Sequence, residues 1–152
     1  MAKQYWLMKC EPSAYSIEDL ERDGKTSWEG VRNFQARNFM KEMQLGDEVL
    51  FYASNADPSG VSGVAKISKA AYADPFQFKK GHKYEDPDSD PNDPRWVSVE
   101  LSFVSRFPEV ISLDELRRMK GLENMVVLRK GNRLSVMPVT KEEFAIVTRR
   151  GK

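Results

Sequence analysis

Strand-like and helix-like segments follow one another along this chain with no regular βαβ period, and that irregular order restricts its fold more than any other feature. Residues 5–9 (Tyr5-Trp6-Leu7-Met8-Lys9) read as a short, aromatic-rich first strand. Ser16-Ile17-Glu18-Asp19 has the pattern of a capping box, with Asp in the usual place of Glu, and opens a short helix stopped by Gly24. Asn33 caps a second helix over residues 34–43, whose Ala36, Phe39, Met40 and Met43 fall on one face. Residues 48–53 and 61–70 read as strands, separated by turn-forming residues 55–60, with Gly63 marking a bulge or a close backbone approach. In residues 97–103, Val97, Val99, Leu101 and Phe103 alternate with polar residues, as in a half-buried strand. Ser112-Leu113-Asp114-Glu115 and Thr140-Lys141-Glu142-Glu143 open two further helices, the first ending near Gly121. Residues 125–128 and 133–137 read as strands, and the tail at 149–152 as frayed. The expected fold class is α+β, a curved sheet or small barrel flanked by short helices, with residues 1–152 forming one domain.

Composition narrows the function. Of the 152 residues, 40% are apolar and 31% charged, as in a globular protein rather than a disordered one. No apolar run approaches the ~18 residues of a membrane span, and the chain opens without a signal-peptide core, so no membrane partner is expected. One cysteine excludes an internal disulfide and fits a reducing compartment, from which an intracellular, cytoplasmic location follows. One Cys and one His disfavour zinc, and no metal or cofactor is expected. The net charge of +1 conceals unevenness. Between positions 117 and 133 six basic residues (Arg117, Arg118, Lys120, Arg129, Lys130 and Arg133) face one acid, Glu123. That cluster is either a basic face or scattered surface charge.

Several candidate sites can be weighed on residue chemistry. Asp86, Asp88 and Asp90 imitate the start of a calcium loop, but Pro91 stands where the loop needs Gly and Val97 where it needs Glu. The 73–95 segment, with Pro75, Pro87, Pro91 and Pro94, is a long excursion of the kind that is functional or mobile. Cys10 and His82 offer a nucleophile and a base only if the fold joins them, and a small apolar role for the thiol is the commoner case. Lys9 and Glu11 flank the end of the first strand, either as a surface ion pair or at a pocket mouth.

The richest stretch spans residues 28–55. Trp28, placed in a loop, neighbours the carboxamides of Asn33 and Gln35, which a plain core avoids because buried amides need several partners. An indole to stack on and amides to read an edge suit a flat, hydrogen-bonding ligand. Core packing for Trp28 and helix capping for Asn33 are the structural alternatives. Arg32 and Arg37 are suited to phosphate oxygens or are surface charges. Tyr52, Ser54 and Asn55 end a strand nearby, and Trp96 is either a second wall or a core residue.

Taken together these segments resemble the EVE domain family. The resemblance rests on Tyr5-Trp6-Leu7-Met8-Lys9-Cys10-Glu11-Pro12, on Trp28-Glu29-Gly30-Val31-Arg32-Asn33-Phe34-Gln35-Ala36-Arg37-Asn38 and on Leu45-Gly46-Asp47-Glu48-Val49-Leu50-Phe51-Tyr52-Ala53-Ser54-Asn55. Shorter matches include Pro94-Arg95-Trp96-Val97 and Arg133-Leu134-Ser135-Val136. Cys10 departs from the serine common at its position. The resemblance implies a PUA-like fold, kinship with YTH domains, and recognition of modified bases such as 5-methylcytosine and 5-hydroxymethylcytosine in DNA.

The expectation is therefore a non-catalytic, monomeric reader of a flipped modified cytosine. Lys9, Cys10, Trp28, Asn33, Gln35, Tyr52, Ser54, Asn55 and Trp96 would form its pocket. Arg32, Arg37, Arg129, Lys130 and Arg133 would hold phosphates. Trp28→Ala is expected to weaken binding by about 1–3 kcal/mol without unfolding the protein. The rival readings are a reader of modified RNA and a hydrolase of modified cytidine, like those of the ASCH group, using Lys9 and Glu11.

Overall fold

A computed structural model describes residues 3–152. Its strands are β1 (Tyr5–Cys10), β2 (Lys25–Trp28), β3 (Glu48–Ala53), β4 (Gly60–Ala73), β5 (Val97–Ser112) and β6 (Val136–Val139). Its helices are α1 (Ile17–Asp23), α2 (Phe34–Glu42), α3 (Leu113–Arg118) and α4 (Lys141–Gly151). The strands form one mixed sheet in the order β2-β5-β4-β3-β1-β6. Only β1 and β3 pair in parallel, which the long crossover through α1, β2 and α2 permits. The register between β4 and β5 slips at four points, and such bulges add twist, so this long hairpin curls the sheet. The result is the α+β, PUA-like architecture expected, as an open curled sheet whose edges are β2 and β6.

Strict alternation divides the interior into two cores. Trp6 and Met8 of β1, with Val49 and Phe51 of β3, face α1 and α2. Leu7, Leu50 and Tyr52 point the other way, towards α3 and α4. Buried Asp47 anchors the first core, accepting hydrogen bonds from the Trp6 indole N–H (3.0 Å) and from the backbone N–H of Gln4 (3.1 Å) and Gln44 (3.0 Å).

The caps read from sequence open the helices as expected. Ser16 and Thr140 form reciprocal capping boxes, while Ser112 caps α3 in one direction only, accepting from Glu115 N–H. Four local readings are corrected. Trp28, read as a loop residue, instead ends edge strand β2, which pairs with β5. β5 runs nine residues beyond the alternating stretch, to Ser112. Residues 126–128 make a 3₁₀ turn instead of a strand. The tail is not frayed, because α4 continues to Gly151, which is buried against the Phe107 ring.

A Cβ at position 151 would stand 2.6 Å from three atoms of that ring. Gly151→Val is therefore expected to lower stability by about 1–3 kcal/mol through overpacking. Urea unfolding is the check, and an unchanged midpoint would count against this packing.

Candidate functional site

The ends of β1 and β3, the segment after β2 and the 75–95 excursion converge on a cleft of about 870 Å³, within the ~300–1,000 Å³ usual for small-ligand sites. Parallel pairing sends β1 and β3 out on the same side, so Lys9, Cys10 and Ser54 all line it. The excursion contributes Phe76, His82 and Tyr84 to the opposite rim.

Asp74 holds these walls together. Its fully buried carboxylate accepts from the Gly30 N–H (2.8 Å), the Phe76 N–H (2.8 Å) and Arg32 Nη1 (3.0 Å). Arg32 in turn donates from Nε (3.2 Å) and Nη2 (2.7 Å) to the Tyr84 carbonyl. Gly30 has φ +80°, and a Cβ there would overlap the Tyr84 ring, so glycine is what lets this wall close. Gln77 orders the rest of the excursion. Its buried amide donates to the Asp74 and Trp96 carbonyls (2.8 Å each) and accepts from Ser89 Oγ (2.6 Å) and the Trp96 N–H (3.0 Å), a full complement.

Trp28 lies at the cleft floor, largely in the core. It is 8% exposed and meets Phe51 edge-on, with ring centroids 5.9 Å apart at 84°. Trp28 is also among the residues that line the cleft. It is nevertheless a core residue, so the expectation that Trp28→Ala leaves the fold intact is reversed.

Four charged residues line the cleft without a side-chain hydrogen bond or ion pair to any described residue: Lys9 and Glu29, which are half-buried, and Lys83 and Arg133, which are exposed. Burial holds the Lys9 ammonium below the ordinary lysine value, and its Nζ stands 5.4 Å from the Tyr52 ring centre. Burial, and secondarily the Asp74 carboxylate, push the Glu29 carboxyl above the ordinary range. Cys10 and His82 both line the cleft but do not bond. Burial, then Glu11, raises the thiol, which disfavours the nucleophilic thiolate. His82 stacks on Phe76 (4.3 Å, 14°), and its Nδ1 accepts from the Tyr84 N–H (3.1 Å). Glu11, the expected partner of Lys9, instead accepts from Asn55 Nδ2 (2.6 Å) at the surface.

Of the residues expected in one site, Lys9, Cys10, Trp28, Ser54, Arg32 and Arg133 are brought together. The others lie outside the cleft lining, for definite reasons. Asn33 Oδ1 caps α2 through the Ala36 N–H (2.9 Å), and Gln35 is exposed on that helix. Tyr52 is buried in the opposite core, and Asn55 is engaged with Glu11. Trp96 stacks on Phe34 (4.9 Å) and donates its indole N–H to Asp86 (2.6 Å), which holds that carboxyl below its ordinary value. It anchors the excursion and does not line the cleft. Arg32 lines the cleft with its guanidinium already occupied by Asp74 and backbone carbonyls. Arg37 is likewise engaged, by the Arg95 carbonyl (3.0 Å) and Asn38. Arg129 and Lys130 are exposed elsewhere. Sequence reasoning missed Glu29, Asp74 and Tyr84. Of these Asp74 carried a signal, since Asp before Pro75 is a helix-start pattern.

Comparison with known proteins places this geometry in context. The family model described as EVE domain matches residues 4–150. Human thymocyte nuclear protein 1 is 42% identical over 162 aligned residues, covering 94% of this chain and 72% of the relative. A crystal structure of a Pseudomonas syringae protein superposes with a TM-score of 0.92 at 42% identity, covering 97% of this chain and 99% of that one. Human THYN1 protein, solved in complex with 5-methylcytosine-containing DNA, superposes with a TM-score of 0.89 at 40% identity, covering 99% and 98%. An ASCH protein from Zymomonas mobilis (TM-score 0.56, 10% identity, covering 99% and 100%) speaks to the fold alone. The cytoplasmic location expected from composition is corrected by the relatives' name, which points to the nucleus. No helix among the described residues is long and apolar enough to cross a membrane.

Removing the buried carboxylate strands Arg32 and two backbone donors. Asp74→Ala is expected to cost about 3–5 kcal/mol, and Trp28→Ala a similar ~3–5 kcal/mol through the cavity it leaves. Chemical denaturation measures both, and a loss below about 1 kcal/mol in either would contradict the assignment.

Proposed function

The chain belongs to the EVE domain family, and from that premise we propose that it reads modified cytosine in DNA, taking a base turned out of its stack into the cleft beside Trp28. The observation that carries this reading is the human relative solved with 5-methylcytosine-containing DNA, whose fold this chain matches over nearly its whole length. The cleft supports it chemically, being roomy, lined by aromatic rings and rimmed by cations.

The energetics assign the parts. Extruding a base costs a few kcal/mol, and stacking on an aromatic side chain returns about 1–3 kcal/mol. Stacking alone therefore gives no net affinity. In this reading the exposed part of Trp28 and the Tyr84 ring flank the base, and Lys9 donates to an acceptor on it. Arg133 and Lys83, both exposed at the rim, meet the phosphates. Arg32 and Arg37 position the walls rather than the ligand. The protein acts as a binder in this account; Glu11, which the rival hydrolase reading pairs with Lys9, is engaged by Asn55 instead.

The test is a titration of one oligonucleotide carrying cytosine, 5-methylcytosine or 5-hydroxymethylcytosine at a single position. A matched RNA serves as competitor, since the 2′-OH lets a protein separate the two nucleic acids. Tighter binding of a modified DNA is the expected result, and equal affinity for all three DNAs would refute the reading. The double variant Arg133→Ala/Lys83→Ala is expected to flatten the plot of log K against log[salt] by about 0.7–0.9 per lost phosphate contact. An unchanged slope would remove both residues from the phosphate path.

A further inference from the structure

Glu29 is anomalous in a site for nucleic acid. It follows Trp28 directly, it is half-buried among the residues that line the cleft, and no described residue donates to its carboxylate. The nearby cation Arg32 is committed to Asp74 and to backbone carbonyls. The backbone carrying Glu29 is fixed at the next residue, where the Gly30 N–H is tied to Asp74. A negative group held in place beside a polyanion repels it, unless the ligand brings a hydrogen-bond donor to that spot.

The donors available on a nucleobase edge are exocyclic amino groups and ring N–H groups, and a carboxylate is the natural acceptor for the amino group of cytosine. Thymine presents a carbonyl oxygen at that position, so the same carboxylate would face a lone pair and stay unsatisfied. Sites built around a polar partner reject the analogue that lacks it far more strongly than apolar pockets reject a change of size.

We propose that Glu29 is the specificity residue of the cleft, accepting a hydrogen bond from the exocyclic amino group of the bound base and so excluding thymine and uracil. This rests on the reading of the chain as a modified-base reader and deepens it, because it separates recognition of the cytosine edge from recognition of the 5-substituent. Burial of the carboxyl, which raises the cost of leaving it bare, acts in the same direction.

The decisive comparison is 5-methylcytosine against thymine, which share the 5-methyl group and differ in amino group versus carbonyl. Single-stranded oligonucleotides identical except at that position remove any contribution from pairing. The parent protein is expected to favour 5-methylcytosine by roughly tenfold or more. Glu29→Ala is expected to bring the ratio close to one. Glu29→Gln, whose amide can turn either its acceptor or its donor to the base, is expected to fall between the two. Affinities that drop equally on both oligonucleotides, with the ratio intact, would mark Glu29 as merely structural and overturn the proposal. So would a parent that binds both bases equally while still preferring 5-methylcytosine to cytosine, an outcome that leaves the reader itself standing. A parent that binds no modified oligonucleotide removes both.

Discussion

A buried carboxylate must find donors, and in this protein the donors of Asp74 join segments far apart in sequence. Gly30 and Arg32 come from the stretch after β2, and Phe76 from the start of the excursion. The Arg32 guanidinium extends the connection to Tyr84. Asp74 ties the excursion, which contains little regular structure of its own, at its start, while Arg32 and Arg37 tie it further along at Tyr84 and Arg95. One buried charge, compensated from two directions, thus fixes two walls of the cleft against each other.

The same economy governs what the cleft offers a ligand. Arginines that look available in sequence are taken up in building walls, so the groups left over are few: an ammonium at Lys9, a carboxylate at Glu29 and cations at the rim. A base-reading site needs this asymmetry. Donors and acceptors already satisfied within the protein give shape, and those left unsatisfied choose the ligand.

The parts legible in the sequence were those written locally. Ser16, Asn33, Ser112 and Thr140 each announce a helix, because a cap is a bond between residues three apart. Asn33 shows the limit of this reading, since the chemistry that marks a cap also resembles an edge-reading amide. β2 is invisible because Lys25-Thr26-Ser27-Trp28 is too short to alternate and is strand only by virtue of β5. The apolar residues 126–128 could equally have been strand or turn. The engagements of Arg32 and Trp96 were hidden for a related reason. Their partners, Asp74 and Asp86, lie 42 and 10 residues away, and nothing in a single sequence connects them. The family resemblance supplied the architecture, while the allocation of side chains needed coordinates.

β1 lies between β3 and β6, with Tyr5 facing Glu48 on one side and Val139 on the other. During translation β1 is therefore made well before its second neighbour, and that flank stays unpaired until residues 136–139 have been synthesised. At about 5–20 residues per second that exposure lasts roughly 6–25 seconds. Until β6 has joined β1 the sheet that carries the cleft lacks one of its edge strands, so the cleft takes its final shape only after that late pairing.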